Sequence, residues 1–67
     1  MKETIIMVAP RNETFGAVLA AGNSWAMDSD SMLRRWHLLM DEDDLILEVE
    51  GYEYSDRVEI TKICMFS

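Results

Sequence analysis

The chain has 67 residues, 49% of them apolar, with thirteen acids against six bases for a net charge of −7. That length makes one domain, residues 1–67, burying only about 60% of the surface its unfolded form exposes, and the apolar content is too high for a disordered acidic tail. The negative charge argues against direct nucleic-acid binding, and the longest apolar run, residues 5–10, is far too short to span a membrane.

The charge is unevenly distributed. Residues 1–40 carry four acids (Glu3, Glu13, Asp28, Asp30) and four bases (Lys2, Arg11, Arg34, Arg35). Residues 41–59 carry nine acids against Arg57 alone, a net of −8, and Lys62 brings the total back to −7. Cys64 is the lone cysteine, so no disulfide supports this small core, and no His/Cys pair has zinc spacing. The opening Met-Lys-Glu carries no apolar leader, and a cytoplasmic protein is expected. Oligomerisation is the most available supplement to stability.

In chain order, residues 4–9 (TIIMVA) are a short β-branched run ending at Pro10, which predicts a strand; both of its faces are apolar, as in a central strand. Residues 12–21 predict a helix with Asn12 as N-cap, Gly22 beyond its end and Phe15, Val18 and Leu19 as its stripe, weakened by Gly16. Residues 29–40 predict a second helix. Asp28, Ser29 and Asp30 supply caps, and Met32, Leu33, Trp36, Leu39 and Met40 recur at helical spacing with Leu38 on the opposite side. Residues 45–54 and 57–66 predict a β-hairpin turning at Ser55-Asp56. An even loop pairs Tyr52 with Glu59, Glu50 with Thr61 and Glu48 with Ile63. It puts Leu45, Leu47, Val49, Val58, Ile60, Cys64 and Phe66 on one face, and Glu48, Glu50, Tyr52, Tyr54, Arg57, Glu59 and Thr61 on the other, which Ile46, Ile63 and Met65 extend at its far end. The expected architecture is α+β: a three-stranded, mainly antiparallel sheet with two helices on one face.

Each chemistry-bearing residue has a plainer reading beside the functional one. A calcium loop beginning at Asp41 needs glycine at its sixth position and glutamate at its twelfth, where the chain has Ile46 and Tyr52; one beginning at Asp28 meets Leu33 and Leu39. Residues 41–44 therefore read as a solvated connection. His37, the sole histidine, could titrate near neutrality but has no partner assignable from sequence. It reads as the edge of a helix stripe. Cys64 reads as a small core hydrophobe and Trp36 as core, while Trp25 could be a core lid or an exposed anchor.

The strongest candidate is the acidic face of the hairpin. Asp41, Glu42, Asp43, Asp44, Glu48, Glu50, Tyr52, Glu53, Tyr54, Asp56 and Glu59 are assigned to partner binding: nine acids with two tyrosines, a residue enriched at interfaces. No catalytic residue, metal ligand or cofactor site is assigned. In size and charge the chain resembles the small acidic inhibitors encoded by bacteriophages, anti-CRISPR proteins among them. The expected function is a binding module that covers the basic, nucleic-acid-binding surface of a larger protein or ribonucleoprotein. The alternative is a homo-oligomer, a homodimer for example, held by Ile46, Ile63 and Met65 and binding a small molecule or serving as a structural accessory. An enzyme is disfavoured by the single His and Cys and by the lack of a phosphate loop.

Overall fold

The computed structural model describes residues 4–27, 32–40 and 44–66. Five strands and one helix follow in the order β1 (Met7–Pro10), α1 (Thr14–Ala21), β2 (Ser24–Ala26), β3 (Leu33–Met40), β4 (Leu45–Glu53) and β5 (Arg57–Phe66). All neighbouring strands are antiparallel, in the order β1-β5-β4-β3-β2. Strands β2 to β5 form a meander. β1 and β2 lie on opposite edges, about 19 Å apart at the usual strand spacing, so the chain between them must cross the sheet. α1, whose eight residues span about 12 Å, makes that crossing and covers one face.

The expected three-stranded sheet with two helices is thus corrected to a five-stranded antiparallel sheet with one short helix. The largest change falls on residues 29–40: 33–40 form a strand, and 29–31, with the cap residues Asp28, Ser29 and Asp30, lie outside the described residues. The segment satisfies a two-residue period as well as a helical one. Trp36, Leu38 and Met40 face α1, while Arg35, His37 and Leu39 face away. What decides between the periods is β4, whose register sets Trp36 against Val49 and Leu38 against Leu47 on one face, and Arg35 against Glu50 and His37 against Glu48 on the other. Apolar residues thereby meet apolar ones and Arg35 and His37 meet carboxylates across the pair.

The first strand is also displaced. It spans Met7–Pro10 rather than 4–9, and it is an edge strand paired only with β5, with Met7 and Val8 exposed. α1 begins at Thr14, with Glu13 rather than Asn12 at the cap and no side-chain cap bond. Gly22 closes it with an extended backbone, donating its N–H to the carbonyls of Val18 and Leu19. Gly16, which weakens the helix in isolation, is required by packing: a Cβ there would lie 1.9 Å from the Pro10 carbonyl oxygen.

The core comprises Ala9, Leu19, Trp36, Val49, Val58 and Ile60, flanked by Phe15, Leu38 and Leu47. Trp36 is wholly buried, and its indole N–H donates to the Leu19 carbonyl at 3.0 Å, satisfying a carbonyl in the last turn of the helix. Full burial of each large aliphatic side chain here contributes roughly 1.5–3 kcal/mol.

The hairpin has the expected turn, with Tyr52 opposite Glu59 and the Tyr54 N–H donating to Arg57 at 2.8 Å. Beyond Gly51 the register shifts, so that Glu50 faces Lys62 rather than Thr61 and Glu48 faces Cys64 rather than Ile63. Thr61 is the extra residue of a bulge, its hydroxyl bonded to the Glu50 carbonyl at 3.1 Å. Gly51 permits this: a Cβ there would sit 2.5 Å from the Glu59 carbonyl oxygen. The shift moves Ile63 and Met65 to the helix side and turns Cys64 and Phe66 to the other face, reversing the expected placement of all four.

Candidate functional site: the open face of the sheet

Opposite α1, no described element covers the sheet. Alternation brings Trp25, Leu33, Arg35, His37, Glu48, Glu50, Tyr52, Glu59, Lys62, Cys64 and Phe66 to this open face. Three strands build its centre. Arg35 on β3 donates from Nη2 to Glu50 on β4 at 2.9 Å, and the Lys62 ammonium on β5 stands 3.9 Å from the same carboxylate. Glu50 is 7% exposed, so these two cations are its compensation for lost water. One row along, His37 Nε2 lies 2.8 Å from Glu48 Oε1, and the Arg35 Nε is 3.7 Å from that oxygen. The His37 hydrogen bond, helped by the charges of Arg35, His37 and Lys62, holds the Glu48 carboxyl below its ordinary range against the opposing effect of desolvation.

An aromatic border adjoins this charged centre. The Trp25 and His37 rings meet edge-on with centroids 4.9 Å apart, and His37 and Phe66 do so at 6.3 Å. Trp25 and Phe66 are both more than 40% exposed. At the hairpin turn, the Arg57 guanidinium binds Asp56 at 2.8 Å and Glu59 at 3.0 Å and lies 4.4 Å over the Tyr54 ring. These two hydrogen bonds raise the Arg57 pKa further.

The sequence-assigned residues are therefore only partly brought together. Glu48, Glu50, Tyr52 and Glu59 share the open face. Glu53 points to the helix side, where it binds Arg11 at 2.9 Å and approaches Arg34 at 3.6 Å. Tyr54 and Asp56 belong to the hairpin turn. Asp44 enters β4 with a left-handed backbone (φ 53°), a conformation aspartate tolerates. Asp41, Glu42 and Asp43 lie outside the described residues.

The electrostatics also differ from a bare carboxylate ridge. The described residues hold seven acids and five bases, a net of −2; the remaining six acids and one base put −5 on residues 1–3, 28–31, 41–43 and 67. Each of the five described bases is within ion-pair distance of an acid in 48–59. Sequence reading missed Arg35, His37, Lys62 and Phe66 as members of the face. A signal for the first two was present: Arg35 and His37, two residues apart, match Glu50 and Glu48 when the stretches are read antiparallel.

Beside the outer edge of β3, Thr14, Phe15, Val18, Leu38, Met40 and Leu47, with His37 and Leu39 at the strand edge, line an apolar groove of about 520 Å³. Among the described residues no three His, Cys, Asp or Glu side chains cluster closely enough to hold a metal, and no helix is long and apolar enough to cross a membrane. Comparison with protein-family models, with curated proteins and with solved structures finds no match.

Proposed function

We propose that the protein is a small acidic binding module that docks the open face of its sheet on a larger protein. The observation that carries this reading is the face itself: exposed Trp25 and Phe66 flank an ion network whose charges are already paired. Such a surface can be covered without stranding unpaired charge, which would be costly, and it offers aromatic area of the kind that anchors interfaces. The net charge of −7 draws the module toward a basic partner surface and speeds association, while the paired centre sets the fit. Binding is favoured over catalysis because the chemistry-bearing side chains are spread along one sheet face, Glu50 and Tyr52 largely buried within it, and of them His37 alone reaches the groove.

The test is capture from lysate on the immobilised chain at low and high salt, comparing the native protein with Trp25→Ala. A specific protein retained at low salt, weakened by salt and lost by at least about tenfold in the variant is the expected result. An identical retained set with both proteins, or retention indifferent to salt, contradicts the proposal.

A further inference from the structure

β1 covers only the first part of β5, pairing from Met7↔Ile60 to Pro10↔Arg57. No described strand pairs with the outer edge of β5 beyond Ile60. The direction of its backbone groups can be followed along the strand. The carbonyls of Asp56 and Ile60 accept from Arg11 and Ile6 on the β1 side, while the Arg57 carbonyl accepts from Tyr54 on the β4 side. Even-numbered residues thus face outward as far as Ile60. The bulge at Thr61 reverses the parity, so past it Ile63 and Met65 aim their N–H and C=O groups outward. Their side chains, on the helix side, are also exposed.

We propose that this edge pairs with the same edge of a second copy, as an antiparallel two-fold dimer centred on Cys64. The register is constrained. Centring on Ile63 would bring Phe66 of one copy opposite Ile60 of the other, where β1 already pairs; centring on Met65 would set Ile63 opposite Ser67, which lies outside the described residues. Centring on Cys64 uses residues 62–66 and avoids β1. Ile63 of each copy then exchanges N–H and C=O with Met65 of the other, and these apolar side chains become cross-strand neighbours. Lys62 comes opposite Phe66, a cation beside an aromatic ring. The two Cys64 residues face each other as a non-hydrogen-bonded pair, with Cα atoms about 4.5 Å apart, inside the range a disulfide can span.

An edge of this length buries less than the roughly 1,200 Å² at which standard interfaces begin, so the dimer is reversible and forms at high concentration. It continues the sheet and places two open faces side by side. Its salt response separates it from docking on a basic partner: screening relieves the repulsion between two chains at −7 and favours the dimer, whereas it weakens attraction to a basic surface.

Sedimentation across a hundredfold concentration range, with mild oxidation of Cys64 by diamide, tests the register. Diamide takes up the two electrons and two protons released as the Sγ–Sγ bond forms. The expected results are a concentration-dependent dimer that salt does not weaken and a covalent dimer on oxidation. Met65→Pro, which removes an outward N–H that β4 does not use, should lower the covalent yield at least about tenfold. Ile63→Lys combined with Met65→Lys keeps every N–H and sets like charges across the seam, with the same expected loss, and β-sheet circular dichroism confirms folding of either variant. A monomer throughout, a dimer whose Cys64 thiols do not join, or a covalent yield unchanged in folded variants overturns the proposal.

Discussion

The two faces of the sheet use the same strands and the same alternation but solve opposite problems. On the helix side, Trp36, Val49, Val58 and Ile60 are wholly buried together with Leu19, and the one polar atom of Trp36 is satisfied by a helix carbonyl. On the open side, Glu48 and Glu50 lie in rows with His37, Arg35 and Lys62, and their charges are met within the sheet. The difference teaches where stability and recognition reside. The covered face stabilises by removing apolar area from water, whereas the open face buries Tyr52 beside Glu50 at its centre and keeps the aromatic surface of Trp25 and Phe66 available.

The sharpest way to break this contrast is at Trp36. Trp36→Ala should cost about 3–5 kcal/mol in chemical denaturation, while Trp36→Phe, which keeps most of the packing and loses the bond to Leu19, should cost about 1–3 kcal/mol. Next is the bulge. Gly51→Ala forces a Cβ against the Glu59 carbonyl and should cost about 1–3 kcal/mol, with amide shifts spreading along β5 in NMR spectra. On the open face, Arg35→Ala leaves the nearly buried Glu50 with Lys62 alone and should cost about 1–2 kcal/mol, partly restored by Glu50→Gln in the double variant, a cycle that isolates their coupling. Trp25→Ala should change stability by no more than about 0.5 kcal/mol, since Trp25 is substantially exposed. Equal costs for Trp36→Ala and Trp25→Ala would erase the distinction between the faces.

The smallest effect is in pH. Glu48 has a lowered pKa in the folded chain, so its contribution is complete above the usual glutamate value of about 4.3 and is lost as pH falls through the lowered native value. His37→Ala removes the largest cause of that lowering, so the variant should be less stable at neutral pH and lose less stability than the native chain as pH falls through the glutamate range, measured by thermal melts between neutral and strongly acidic buffer. An unchanged acid profile would mean that the His37 bond does not govern Glu48.

The hairpin was legible because its alternation runs over many residues and its turn is bounded on both sides; Tyr52 opposite Glu59 follows directly from that pattern. Its far end was not, because the bulge depends on backbone proximity at Gly51 that no side-chain pattern announces. The helix Thr14–Ala21 was legible from its stripe, whereas the value of Gly16 there appears only in the approach to Pro10. β3 misled because its apolar residues fit two periods, and only a partner strand chooses between them. At the candidate site, the presence of Glu48, Glu50, Tyr52 and Glu59 on one face was readable, but their neutralisation was not, since Arg35 and His37 were assigned to a helix.

The pairing of β3 with β4 supports every statement about the open face, and cross-strand proton NMR tests it most directly. In this register Arg35 with Glu50 and His37 with Glu48 are non-hydrogen-bonded pairs, whose Cα atoms approach most closely. Strong Hα–Hα contacts between Arg35 and Glu50 and between His37 and Glu48 are predicted. Sequential helical contacts through residues 33–40, with neither of those cross-strand signals, would contradict the sheet, the neutralised centre and the binding face built on it.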